Sequence, residues 1–255
     1  MDQRQLHLLK EQNPFAPLHT LICDLLMQDI INYRILPGSR LVESAIAERF
    51  GVSRSPVRMA VEVLVEKGYV DQVERHYYVK AFSAEECKNL SDLSFLIEPY
   101  AAGEAAERLT AGDLDTLFDM AYQLQRLYHE ATSETVSGSF MPLMDLEHQF
   151  HSLIINASGN AVIASIYEQY RYRILYYRSY ILQNPPRDVL DVLADDHILI
   201  CNTLKLRDRE MAAAVVKRHL SVSQHVIRQS QVTESEWGKE KDITGEILFQ
   251  GNQKY

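Results

Sequence analysis

Leu36-Pro-Gly-Ser-Arg-Leu41, followed by Ala45-Ile-Ala-Glu-Arg-Phe-Gly-Val-Ser-Arg-Ser-Pro-Val-Arg58, is the stretch whose reading decides the fold. Pro37-Gly38 cannot continue a helix, so they close the apolar-periodic run Pro17–Tyr33, in which Leu18, Leu21, Ile22, Leu25, Leu26 and Ile30 recur at helical spacing. A second helix of about Glu43–Phe50 stops at Gly51. Ser53 then stands as the N-cap of a third, reaching about Lys67 and tolerating Pro56 because first-turn amides have no intrahelical partner. In that third helix Val57, Ala60, Val61 and Leu64 form an inward stripe, which leaves Arg54, Ser55, Arg58 and Glu62 outside. After Gly68, the runs Tyr69–Val73 and Tyr77–Lys80 flank Glu74-Arg75-His76 and read as a β-hairpin. Three helices and a hairpin make residues 14–80 a winged helix-turn-helix.

A helix that exposes Arg54, Ser55 and Arg58 in its first two turns can enter a major groove with its positive end toward phosphates, and an arginine there can make a bidentate contact to guanine. Ser53, Arg40 and Arg75 at the hairpin tip complete the candidate DNA contacts. The net charge of −9 argues against a polyanionic partner until it is located. Residues 14–80 carry eight basic and eight acidic side chains, whereas residues 81–255 hold 16 basic against 25 acidic. A neutral N-terminal unit is joined to an acidic remainder.

At 255 residues, with 46% hydrophobic and 24% charged, the chain has material for two unequal globular domains, which excludes disorder and disulfide-stapled scaffolds. Cys23, Cys87 and Cys201 form no C-x-x-C pair and suit a reducing compartment; no apolar run is long enough to span a bilayer, and the polar N-terminus holds no signal segment. A cytoplasmic protein without a membrane partner is expected. From residue 84 to 232 the pattern is all-helical. Ser83-Ala-Glu-Glu86 is a capping box opening a helix to about Leu109 with a kink at Pro99, and Thr110-Ala-Gly-Asp113 caps the next. A polar loop is expected at 132–139, then helices near 141–158, 161–183, 187–206 and 208–231, with breaks at Ser158-Gly-Asn160, Asn184-Pro-Pro186 and Leu206-Arg-Asp208. The polar residues 233–255 read as a mobile tail.

Four side chains in this second part need a shared explanation. Glu147 and His151 border the apolar stripe Leu143, Phe150, Ile154 and Ala157, while Asp145, His148 and Ser152 fall on the polar face. His197 lies on the stripe Leu193, Ile200, Leu204, and His219 on Ala212, Val215, Val216, Val222. Each alone fits a hydrogen-bonded core residue; together, one carboxylate and three imidazoles make a shell for zinc foremost, or for nickel or manganese.

The segment from Leu36 to Arg58 resembles the winged-helix domain of the GntR superfamily of bacterial transcription regulators, and Glu147-His-Gln-Phe-His151, Ala157-Ser-Gly-Asn160, His197 and His219 resemble the FCD effector-binding domain of its FadR-like members. The resemblance implies a homodimer on a near-palindromic DNA operator, a metal held by Glu147 (where the family has Asp), His151, His197 and His219, and a small organic acid as effector. Two departures stand out: the hairpin tip lacks the family's glycine, and Ser94 occupies the place, four before Glu98, where members carry an arginine. Arg171, Arg173 and Arg178, interleaved with tyrosines, offer substitute donors, with Arg173 and Tyr177 favoured as effector contacts; a mixed outer face is the other reading of that helix. Cys201, one turn after His197, reads as packing. Against this stand a DNA-binding protein whose second part is only a dimerisation bundle with structural histidines, and, with less support, a metalloenzyme; no H-E-x-x-H or G-x-S-x-G motif is present.

Overall fold

The computed structural model describes residues 2–32, 34–130, 141–181 and 187–229. The expected loop at 132–139, the break at Asn184-Pro-Pro186 and the tail from 233 lie outside them. Two compact units divide between Ala81 and Phe82.

The first unit holds α1 (Asp2–Gln12), α2 (Leu18–Ile31), β1 (Arg40–Leu41), α3 (Glu43–Phe50), α4 (Arg54–Glu66), β2 (Val70–Val73) and β3 (His76–Val79). α4 buries the stripe foreseen for it, with Val57, Ala60, Val61 and Leu64 all at 0% exposure, against α2. α3 closes on Gly51, whose φ of 66° is the left-handed conformation that glycine adopts without a steric penalty. The sheet is antiparallel in the order β1-β3-β2, and the register Val73↔His76 leaves a two-residue turn. The missing glycine there is met by Glu74, which itself takes φ 54°, a conformation costing a non-glycine residue roughly 1 kcal/mol. Two elements were not anticipated. β1 is too short to show a periodicity, and α1 buries chiefly Leu6 at 5%, too little for a stripe. Asp29, 5% exposed, ties α2 to α3 by accepting from Arg49 at 2.5 Å and from Arg34 at 2.6 Å.

The second unit comprises α5 (Ala84–Arg108), α6 (Ala111–Glu130), α7 (Met141–Ala157), α8 (Ala161–Ile181), α9 (Arg187–Lys205) and α10 (Arg209–Gln229). Both capping boxes form. Ser83 Oγ accepts from the Glu86 amide while the Glu86 carboxylate accepts from the Ser83 amide; Thr110 and Asp113 exchange the same pair of bonds. α5 runs through Pro99 as one helix and packs on α7, α8 and α10, while α6 lies on α7 and α9. Ala101, Ala102, Ala105 and Ala106 are fully buried, and a Cβ on Gly103 would stand 3.2 Å from the Arg209 carbonyl, so small residues let α10 approach α5 closely. Among the described residues no helix is long and apolar enough to cross a membrane.

Candidate DNA-reading surface and buried histidine cluster

The inward stripe of α4 dictates what its other face offers. Arg54, Ser55 and Arg58 are exposed, as are Ser53 before the helix and Arg75 in the hairpin turn. Ser53 has the extended backbone of an N-cap, but its side chain makes no capping bond, contrary to the expected side-chain cap. The first amides of α4 are therefore not tied to that hydroxyl, and a helix N-terminus of this kind suits a phosphate oxygen. Arg58 is steadied by its own helix: Nε donates to Glu62 Oε1 at 3.1 Å, an i, i+4 pair with both side chains at least half exposed. Arg40, on β1, pairs with His76 Nδ1 at 2.8 Å. A guanidinium only donates, so Nδ1 there is the accepting nitrogen of the ring.

In the second unit α7, α9 and α10 bring Glu147, His151, His197 and His219 together; one ligand atom from each lies within 4.8 Å of all the others, and all four are buried. His197 Nε2 is 3.0 Å and His151 Nε2 3.4 Å from Glu147 oxygens. These are contact distances without hydrogen-bond geometry, for His151 Nε2, His197 Nε2 and His219 Nδ1 have no hydrogen-bond partner. The rest of the shell fixes their orientation. His197 Nδ1 lies 2.8 Å from the Leu193 carbonyl, which can only accept, so Nδ1 donates there and Nε2 faces the cluster. His151 Nδ1 is 2.7 Å from Glu98 Oε2, and Tyr128 donates to Glu147 Oε1 at 2.7 Å. His219 Nδ1 faces Asp196 at 3.7 Å, and Asp196 accepts from Arg218 at 2.7 Å.

The electrostatics follow from burial set against these partners. Burial alone would raise the carboxyls, yet Arg178 and His151 outweigh it and hold Glu98 at about 2, and His197 and His151 hold Glu147 well below its ordinary range. For His151 the desolvation is likewise overcome, by Glu98 and Glu147, and its pKa rises. His219 goes the other way, lowered to about 4 by burial despite Asp196. Tyr128 is pushed far up by burial and by Glu147, so it remains a donor.

Glu98 and Tyr128 were not given a role from the sequence, and Arg178 was named among the donors with Arg173 favoured over it. Arg178 is 9% exposed and donates to Glu98 Oε1 at 2.6 Å, across 80 residues of chain. Arg173 is exposed, with its guanidinium 5.7 Å from the Tyr170 ring centre, and does not join the cluster. The reason is rotation: five residues on α8 turn the helix by roughly 140° beyond a full circle, so Arg173 and Arg178 cannot share a face. The side chain of Tyr177 lies outside the described residues. His148, expected on a polar face, is instead 6% exposed, its ring parallel to Tyr167 at 5.9 Å. α8 covers His148 through Tyr167, while Asp145 on the same face stays exposed. Cys201 packs at 0% exposure, its thiol pushed up to about 12 by burial and thus unreactive.

A winged helix-turn-helix with arginines on the open face of α4, followed in the chain by a helical unit with a buried polar centre, defines a DNA-binding regulator. Comparison with known proteins gives the family. Residues 19–76 match the gntR family of bacterial regulatory proteins and residues 89–222 the FCD domain. The chain belongs to the GntR family, in the FadR-like group that carries an FCD domain; it is a transcription regulator, not an enzyme. It is 27% identical over 232 residues to the transcriptional repressor RspR of Escherichia coli, covering 90% of this chain and 97% of RspR. It is 26% identical to the E. coli repressor GlaR over 80% of this chain and 93% of that one. The fold is shared with the solved structure of E. coli McbR at a TM-score of 0.65 and 18% identity, over 84% of this chain and 99% of that one. It is also shared with Lar of Listeria monocytogenes at a TM-score of 0.58 and 20% identity, over 85% and 99%.

Proposed function

We propose that this regulator binds a near-palindromic operator as a homodimer, and that a small organic acid held at a divalent metal in the second unit changes its operator affinity. One observation carries the reading: three buried imidazole nitrogens, on His151, His197 and His219, lack hydrogen-bond partners around a buried carboxylate. An unsatisfied buried polar atom costs about 1–3 kcal/mol, and three in one place weigh against purely structural histidines. Three nitrogens and one oxygen are a suitable donor set for zinc, and for nickel or manganese. A bound ion would supply a Lewis acid for a carboxylate oxygen at a coordination position the protein does not fill. Glu147 and the three histidines would hold the ion, Tyr128 and the Leu193 carbonyl orient two of the four, and the effector's donor beside it is Arg178 rather than Arg173. On DNA, Arg54, Ser55 and Arg58 face the major groove, with Ser53, Arg40 and Arg75 toward the backbone. The ligand shifts operator affinity only by its differential affinity for DNA-bound and DNA-free forms.

The test is operator binding by chelator-treated and zinc-reloaded protein over a panel of carboxylic acids. An acid that alters operator affinity in the reloaded protein, and does not in His197→Ala, is the expected outcome. Protein that takes up no zinc, nickel or manganese would sink the metal site and leave the dimerisation-bundle reading.

A further inference from the structure

The open face of α4 carries a side chain that the proposed DNA contacts leave unused. Val57, Ala60, Val61 and Leu64 are buried, while Ser55, Arg58, Met59 and Glu62 are exposed. Within α4, Met59 is the one large apolar side chain left exposed, at 46%. At 3.6 residues per turn, Ser55, Met59 and Glu62 point roughly 150–170° away from the middle of the buried stripe, and Arg58 only about 110°. A docking that brings Arg58 to a base edge therefore aims Met59 into the same groove.

The two side chains divide the chemistry of that groove. The bond from Arg58 to Glu62, 3.1 Å long, uses Nε, so the terminal nitrogens of Arg58 are the ones offered to guanine O6 and N7. Met59 has no such donor. Among the groups that base pairs present in the major groove, the thymine C5-methyl is the apolar one. A polar base edge set against a thioether loses water and gains no bond in return. Met59 stands about 1.5 Å further along the helix axis than Arg58, less than the spacing of about 3.4 Å between stacked bases. Arg58 occupies a G·C pair, so the methyl within reach of Met59 belongs to the next pair.

We propose that Met59 is a specificity-determining residue, packing on the C5-methyl of a thymine in the base pair adjoining the guanine that Arg58 reads. This rests on α4 as the reading helix and adds an apolar contact to its polar ones.

Selection from a random duplex library with the full-length protein supplies the operator probe, and the same selection with Arg58→Ala marks the guanine as the position where preference relaxes. Each thymine of the probe is then replaced by deoxyuridine, one symmetric pair at a time, which removes the methyl and leaves base pairing intact. Binding is read by fluorescence anisotropy at fixed salt. Replacement beside the marked guanine is expected to weaken binding by about fourfold for each half-site, the loss that goes with one buried methyl. In Met59→Ala, a change that an exposed helix position accepts, the thymine and deoxyuridine probes are expected to bind alike. Absence of a thymine beside that guanine, or no loss on its replacement, overturns the proposal. A loss as large in Met59→Ala as in the parent gives the methyl to another side chain and overturns it equally. Failure to select any duplex, or an Arg58→Ala selection identical to that of the parent, overturns the reading of α4 itself.

Discussion

Arg178 and Glu98 form a buried ion pair at 2.6 Å. Both groups are desolvated, and removing one partner of such a pair strands the other charge at a cost of about 3–5 kcal/mol, whereas removing both can be nearly neutral. Arg178→Met should therefore lower stability in urea by about that amount, and adding Glu98→Met should recover most of it; a double variant no more stable than the single one would show that the pair is not what Arg178 holds. The same group gives a pH signature. Glu98, held at about 2, contributes stability that is complete above the ordinary carboxyl range and is lost as pH falls toward 2. His219, lowered to about 4, and His148, lowered to about 3 chiefly by burial, act nearer neutrality. Between the ordinary histidine value of 6.5 and these values the unfolded chain takes up protons that the folded one refuses, so stability falls with pH; His151, whose pKa is raised, opposes them. Chelator-treated protein should lose stability on acidification from 6.5 to 4, and His219→Gln should flatten that slope. A slope unchanged in the variant would mean that His219 does not titrate in this window.

At the scale of elements, α5 carries both Ser94 and Glu98, and its start rests on one reciprocal cap. Ser83→Ala should cost about 1 kcal/mol in thermal or urea unfolding, the usual value for a lost N-cap. An unchanged midpoint would show that packing against α10 alone sets the helix boundary. In the first unit α4 is held by its stripe, and Leu64 at 0% exposure is its last buried member. Leu64→Ala should destabilise by about 2–5 kcal/mol and weaken operator binding only through the unfolded fraction, since the side chain points away from the proposed DNA face. Specific binding lost in protein shown by circular dichroism to be folded would contradict that division of labour within one helix.

For the molecule as a whole, the proposed two-fold dimer on a near-palindrome would use each contact twice. Arg58→Ala should cost about 1–3 kcal/mol at each half-site and relax specificity at one symmetric position in both. A gel-shift series in which the variant keeps the affinity and specificity of the parent would remove Arg58 from base readout. The family, the winged helix, the outward arginines of α4 and the four inward side chains of the cluster were legible in the chain itself, because they depend on short-range rules: a cap and its partner three residues on, an apolar stripe at i, i+3, i+4, glycine where a helix stops. These rules placed Val57, Ala60, Val61 and Leu64 inside and Arg54 and Arg58 outside, and they set Glu147 beside His151. They could not pair Glu98 with Arg178, 80 residues away, or Tyr128 with Glu147, and they left Arg173 the favoured donor and His148 on a polar face. Those outcomes belong to the packing of α5, α6, α7 and α8. Helical periodicity says which residues share a face, while only the neighbouring helix decides whether that face meets water, an apolar surface or an opposite charge.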